Sequence, residues 1–451
     1  MELKKFKKIH FIGIGGIGMS AIAHYFLSNN YNISGYDKVK SEITLKLESK
    51  GAEIFHLDDP NLIVDNDKVD LVIYTPAIEN SNLQYQYFLK SGIPLLKRAE
   101  ILGEITSLYN TIAVAGTHGK TTTSSIIAHI LRENKKDGVS FIGGITSNYN
   151  SNYLKGNGDF SVVEADEYDH SFMKLKPDTI VLTSVDADHL DIYKSKESLI
   201  DSFKEFTSLI AQQDKLIVEE SINKLFINNL SYGFGDNNDL QILNLQVKNE
   251  KFQFDFKYKS EIHSNFQFRM PGKYNLLNAG GAILACLING INIENIKKSL
   301  HSYIGVKRRF DIHVNLPKFK YIDDYAHHPT EIKALLEAAQ SFYPEKQIIA
   351  VFQPHLFSRT KDFMDDFAAV LSKFNKIFLL PIYPARETPI EGISSSTLIK
   401  KIANRNKKLI NSPQDLFSNI DLKSDSVLIT IGAGDIDKWV VEINNYISLN
   451  V

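Results

Sequence analysis

One cysteine in 451 residues, Cys286, leaves no intramolecular disulfide framework and no cysteine-rich zinc module. Neither sign of charge dominates. Fifty-one Lys+Arg against 53 Asp+Glu give a formal net charge of -2, which argues against a general nucleic-acid binder. No apolar run approaches the roughly 20 residues that span a bilayer, and there is neither a low-complexity tract nor a short tandem repeat. The opening MELKKFKKIHFIGIGG is basic and then apolar, as a leader would be. Its apolar part is short, broken by glycine, and reads straight into a strand, a turn and a helix. These absences lead to the expectation of a protein of the reducing cytoplasm, with no nucleic-acid and no membrane partner. The length exceeds one ordinary core and predicts two or three domains.

What is present is one grammar used three times. Ile9–Ile14 reads as a buried strand, Gly13–Gly18 as a glycine loop, Met19–Ser28 as a helix, and Asn32–Tyr36 and Leu71–Thr75 as further strands. The pattern restarts with a strand at Thr111–Ala115, a turn at Gly116–Gly119 and a helix at Lys120–Arg132, then strands at Phe160–Val163 and Thr179–Thr183. Between Gln212 and Met270, Phe252, Phe254, Phe256 and Tyr258 alternate with polar residues, which predicts a small β-rich elaboration before a helix at Asn275–Asn289. The third block offers strands at Gln347–Phe352, Lys376–Leu380 and Val427–Ile431, and one helix about Arg359–Lys373. Strands alternating with helices predict α/β domains over residues 1–109, 110–304 and 305–451.

Two glycine loops carry the first chemical signal. Gly13, Gly15 and Gly18 have the G-x-G-x-x-G spacing, with Asp37 where a ribose-binding acid would stand. The physics of a backbone approaching a diphosphate fits any nucleoside diphosphate, NAD included. Gly116, Thr117, His118, Gly119, Lys120, Thr121 and Thr122 form the second loop, in which Lys120 can reach β- and γ-phosphates and Thr121 can ligate Mg²⁺. Val114 stands where a strict phosphate-binding loop has its first glycine. Acidic clusters follow two later strands, Glu164–Asp169 and Asp186–Asp191, the second containing His189. Their carboxylates suit Mg²⁺, or are helix caps and solvated loop charges, and His189 is equally a ligand or a loop histidine. In the last block Lys307, Arg308 and Arg309 bring three cations together, Asp324, His327 and His328 follow one strand, and His355 and Arg359 follow another, where histidine and arginine can hold a small carboxylate; taken alone, each stretch reads more often as structural than catalytic.

Taken in order, HFIGIGGIGMSAIA, GTHGKTTT, EADE, DADHLD, MPGKYNLLNA, GVKRRFD, DDYAHHPTE, FQPHLFSRT and GAGD resemble the Mur ligase family over nearly the whole chain. The resemblance implies an N-terminal Rossmann-like domain, a central P-loop ATPase-type α/β domain and a C-terminal Rossmann-like domain. It also implies ATP as co-substrate, Mg²⁺ or Mn²⁺ as metal, and the joining of L-alanine to UDP-N-acetylmuramate through an acyl phosphate, by a monomer or homodimer whose domains close before chemistry. By the same resemblance Gly13, Gly15, Gly16 and Gly18 would face the diphosphate of the UDP-sugar. Lys120 would contact phosphate, and Thr121, Glu164 and His189 would form the metal site. Asn275 and Asn278 would hold the adenine end, Arg309 and Asp324 would reach ATP, and His355 and Arg359 would bind the amino acid. His327 or His355 could take the amine's proton, and apart from the family the residues do not rank them. Leu356 departs from the family pattern, in which a basic residue often stands beside that histidine. Three other readings stay open: a ligase adding a recycled tripeptide to the same sugar, a nicotinamide-dependent dehydrogenase built on Gly13–Gly18 and Asp37, and a non-catalytic nucleotide-binding regulator.

Overall fold

The computed structural model describes all residues except 1–2, 65–68, 187–192, 194, 211, 386 and 451. Each of the three α/β domains has its own sheet. In the first, β1 (Lys8–Ile12), β2 (Asn32–Tyr36), β3 (Glu53–Phe55), β4 (Leu71–Tyr74) and β5 (Leu95–Lys97) lie in the order β3-β2-β1-β4-β5, all parallel. The order reverses at β1, so the crevice beyond its carboxyl end, where the first glycine loop sits, is the topological switch point. The helix Ile17–Ser28 follows, two residues longer at its start than the sequence suggests.

The second sheet has ten strands: β6 (Asn110–Ala115), β7 (Asp137–Thr146), β8 (Ser151–Lys155), β9 (Phe160–Glu164), β10 (Thr179–Leu182), β11 (Leu216–Glu219), β12 (Leu230–Gly233), β13 (Leu240–Val247), β14 (Phe252–Tyr258) and β15 (Glu261–Phe268). Their order is β15-β14-β13-β12-β11-β10-β6-β9-β7-β8. On both sides β6 pairs parallel, with β10 and with β9. The turn after β6 and the acidic ends of β9 and β10 therefore meet at one edge. The phenylalanines at 252, 254 and 256 are buried as the alternation requires, but β13–β15 extend the sheet rather than form a separate layer.

The third sheet runs β16-β17-β21-β18-β19-β20, where β16 is Asp311–Asn315, β17 Phe319–Asp324, β18 Gln347–Phe352, β19 Lys376–Leu379, β20 Lys407–Leu409 and β21 Ser426–Ile431. Only β16 is antiparallel to its neighbour. The single helix expected about Arg359–Lys373 is two, Phe357–Asp362 and Met364–Leu371. Phe363 leaves helical geometry at φ -113°, ψ 23°, and its ring meets His328 edge-on at 4.5 Å. Among the described residues no helix is long and apolar enough to cross a membrane.

By internal contacts the chain forms two compact units. One is Met1–Asn244, Phe254–Phe266 and Leu277–Tyr303; the other is Leu245–Gln253, Gln267–Leu276 and Ile304–Val451. The first two domains thus share one unit, and the third sheet lies in the other.

Candidate active site

At the first switch point the loop turns on Gly13, whose φ of +85° is a left-handed value that a side chain resists. The Gly13 and Ile14 N–H groups donate to the Tyr36 carbonyl, and Gly15 N–H donates to Asp37 Oδ2 at 2.7 Å. Asp37 Oδ1 accepts from Val39 N–H, so both carboxylate oxygens brace backbone. The following helix starts at Gly16 with no side-chain cap, which leaves its first N–H groups without a capping side chain. Arg98, at the end of β5, lies over Gly18 and reaches Asp166 Oδ2 at 2.9 Å. Sequence reasoning missed Arg98; nothing local marks an arginine that acts across two sheets.

The central loop is clamped from the β10 side. Thr117 N–H donates to the Ser184 carbonyl, His118 N–H donates to Ser184 Oγ, and Thr117 Oγ1 accepts from Asp186 N–H. His118 Nε2 stands 3.9 Å from Asp186 Oδ2. Gly116 at φ +130° and Gly119 at φ +83° let the chain fold under Thr183 and Asn278; a Cβ on Gly119 would collide with Asn278 Oδ1. The helix Lys120–Glu133 opens on this turn, with Thr122 buried in its first turn.

Lys120 Nζ bonds the Gly116 carbonyl at 2.5 Å and both oxygens of the fully buried Glu167 at 2.9 and 2.8 Å. Burial opposes its charge, but Glu167, Asp166 and Glu164 outweigh that and hold the ammonium above its ordinary pKa. Glu164 accepts from Thr121 Oγ1 at 3.0 Å, Ser124 Oγ at 3.1 Å and Gly143 N–H at 2.5 Å. Burial lifts its carboxyl above the usual range, with those donors and Lys120 pulling the other way. A carboxylate and a hydroxyl side by side are hard oxygen ligands of the kind Mg²⁺ takes. His189 lies outside the described residues, and among those described no cluster of three or more His, Cys, Asp or Glu stands ready to hold a metal.

The helix Lys273–Ile288 carries both asparagines: Asn278 abuts the central loop at Gly119, and Asn275 donates to the Pro271 carbonyl at 2.7 Å.

A second cluster forms in the third sheet, at the ends of β17 and β18. Asp324 accepts from Phe310 N–H at 2.7 Å and Ala326 N–H at 2.8 Å. Burial pushes its carboxyl up to about 6, against the pull of Arg309 and those N–H groups. Arg308 and Arg309 stack over Tyr325 at 5.1 and 5.2 Å. His327 Nδ1 is 3.0 Å from the Tyr325 carbonyl and 3.4 Å from Glu331 Oε2, while His355 Nδ1 is 3.3 Å from Arg359 Nη1. The two imidazole centroids are 6.1 Å apart, and His355 stacks on Tyr383 at 5.6 Å. Burial drops both histidines below the ordinary imidazole pKa, His355 to about 4. Glu331 and Glu387 were missed. The first lies one helical turn from His327, a spacing legible in sequence; the second, holding Ser358 N–H at 2.9 Å, is 29 residues away and is not.

Comparison with known proteins gives a consistent picture. Three family models match in order: Mur ligase family, catalytic domain, over residues 8–110; Mur ligase middle domain over 114–286; and Mur ligase, glutamate ligase domain over 308–434. The UDP-N-acetylmuramate--L-alanine ligase of Flavobacterium psychrophilum is 48% identical over 445 residues, 98% of each chain, and that of Christiangramia forsetii is 44% identical over 446 residues, again 98% of each. Among solved structures, the UDP-N-acetylmuramate-alanine ligase of Thermotoga maritima has a TM-score of 0.85 at 26% identity, covering 98% of this chain and all of that one. A murein peptide ligase of Psychrobacter arcticus, at TM-score 0.72 and 21% identity over 99% of both chains, shares the fold.

Proposed function

The chain belongs to the Mur ligase family, and from that premise we propose that it joins L-alanine to UDP-N-acetylmuramate with ATP as co-substrate, in cytoplasmic peptidoglycan precursor synthesis. The observation that carries the reading is the meeting of Lys120, Thr121 and Glu164 at the edge where β6, β9 and β10 end. A carboxylate does not react with an amine as it stands, because its oxygen is a poor leaving group. Attack of the lactyl carboxylate on the γ-phosphorus expels ADP and leaves an acyl phosphate. The α-amine then attacks that carbonyl, phosphate departs, and the nitrogen loses a proton.

In this reading Gly13, Gly15, Gly16 and Gly18 receive the UDP diphosphate, with Asp37 bracing their loop. Backbone N–H groups of Gly119–Thr122 and the Lys120 ammonium receive the ATP phosphates, on a loop that the Thr117 and His118 N–H groups tie to Ser184. Thr121, Glu164 and His189 would hold Mg²⁺ or Mn²⁺, which when bound offsets the charge that phosphoryl transfer gathers. Asn275 and Asn278 serve the adenine end, and Arg309 and Asp324 are further ATP-binding residues by the family resemblance.

The histidine tautomers divide the remaining work. A carbonyl only accepts, so His327 Nδ1 carries the proton it gives to the Tyr325 carbonyl, and its Nε2 holds a lone pair. A guanidinium only donates, so His355 Nδ1 is the acceptor and its proton is on Nε2. His327 Nε2 is therefore the base for the amine's proton, and His355 with Arg359 holds the amino acid's carboxylate.

The test is phosphate release from Mg-ATP with UDP-N-acetylmuramate, with L-alanine or with an L-alanyl-γ-D-glutamyl-diaminopimelate tripeptide. Release that requires sugar and L-alanine, with the mass of the UDP-muramyl-alanine product, is the expected result. Release with the tripeptide alone would move the chain to the recycling reaction.

A further inference from the structure

The ammonium of Lys120 has three N–H donors. Three protein acceptors take them within 2.9 Å: the Gly116 carbonyl and the two oxygens of Glu167. Glu167 is wholly buried, and its backbone is held as well, because the Tyr193 hydroxyl donates to its carbonyl. The two glutamates of this cluster thus face different partners. Glu164 meets the hydroxyls of Thr121 and Ser124, whereas Glu167 grips the ammonium. A phosphate oxygen reaches Lys120 only by displacing one of the three acceptors, and separating a buried, bidentate pair carries a large penalty.

We propose that Glu167 is a positioning residue that competes with phosphate for Lys120. It keeps the lysine aimed at the loop, releases it to the incoming nucleotide, and thereby sets how tightly the nucleotide binds. This rests on the reading of the 116–122 loop as the nucleotide site.

The experiment is calorimetric titration of ADP, in Mg²⁺ buffer, into the full chain and the variants Glu167→Gln, Glu167→Asp, Lys120→Gln and the Lys120→Gln/Glu167→Gln pair. Glu167→Gln should bind ADP about tenfold tighter, the size of a direct side-chain coupling. Removing a negative charge near any phosphate site would also tighten binding, so two controls separate the causes. Glu167→Asp keeps the charge but loses the two-oxygen grip, and it should tighten binding by a smaller factor. Against Lys120→Gln, the Glu167→Gln change should have no effect. Equal tightening in both backgrounds, or unchanged or weaker binding in Glu167→Gln, overturns the proposal. If Lys120→Gln does not fold by circular dichroism, the Asp variant decides: tighter binding supports competition, and no tightening overturns it. Failure of the unmodified chain to bind ADP would sink the nucleotide reading instead.

Discussion

His327 and His355 differ in what their ring nitrogens have left to offer, and that difference is measurable. L-Alanine presents a largely protonated amine at neutral pH, whereas hydroxylamine is mostly the free base and reacts with acyl phosphates unaided. His327→Gln should therefore lower kcat with L-alanine by about 10²–10⁴, the usual worth of a general base, while hydroxamate formation with hydroxylamine stays within a few-fold of the unmodified enzyme. His355→Gln should instead raise KM for L-alanine and leave the hydroxylamine reaction intact. Equal loss with both nucleophiles in His327→Gln would mark the residue as structural. Asp324 offers a second readout at this scale. Its folded pKa, about 6, lies above the ordinary 3.8, so the folded state binds the extra proton and stability falls as pH rises through that window. An asparagine carries no such penalty. The stability of Asp324→Asn relative to the unmodified chain should climb between pH 4 and 6 and then level off, by at most about 3 kcal/mol. Denaturant melts across that range check it; a flat difference would mean the carboxylate is not penalised.

At the scale of the strand–turn–helix element, the glycines of one motif are unequal. Gly16 has an ordinary φ of -63°, and the nearest atom to a Cβ there would be 3.6 Å away. Gly119 combines a φ of +83° with a collision at Asn278. Gly16→Ala should change stability by under about 1 kcal/mol, and Gly119→Ala should cost about 1–3 kcal/mol and weaken nucleotide binding. Thermal melts and ADP titration distinguish the two.

The same contrast explains what the sequence discloses. Strand ends, glycine loops and the Lys120–Thr121 pair follow from local spacing, which chain chemistry dictates. The grip of Glu167 on Lys120, Arg98 over Gly18, and Glu387 on Ser358 depend on which strands become neighbours, and no local pattern encodes that. The helix break at Phe363 escaped for a related reason: the apolar period runs straight through it, and the ring contact with His328 found there joins segments that are not neighbours in sequence. Alternation likewise identifies β14 as a strand without saying which sheet edge receives it.

On the scale of the molecule, the first compact unit joins two sheets through one continuous core. The helix Ile17–Ser28 lies against β7 and β8, where Tyr25 meets Phe141 at 6.1 Å and Tyr153 at 6.3 Å. Polar contacts lock the same seam: Asn152 donates to Ser20 Oγ at 2.9 Å, Lys155 to the Ser28 carbonyl at 2.7 Å, and Arg98 to Asp166 at 2.9 Å. Each large apolar side chain so buried contributes about 1.5–3 kcal/mol, against a total of about 5–15 kcal/mol for a folded domain. A fragment of residues 1–109 would lose Phe141 and Tyr153 as partners and expose Tyr25, so it should melt well below the full chain or aggregate. Within the full chain, Phe141→Ala should raise hydrogen exchange in β1 and β4 as well as in β7 and β9, because the two sheets open together. A fragment that melts cooperatively at the temperature of the whole, or exchange confined to β7–β9, would show separate folding units. Joint opening has a corollary under the proposed function: the first glycine loop and the Lys120 loop belong to one compact unit, so a sugar bound at one and a phosphate bound at the other would share one scaffold.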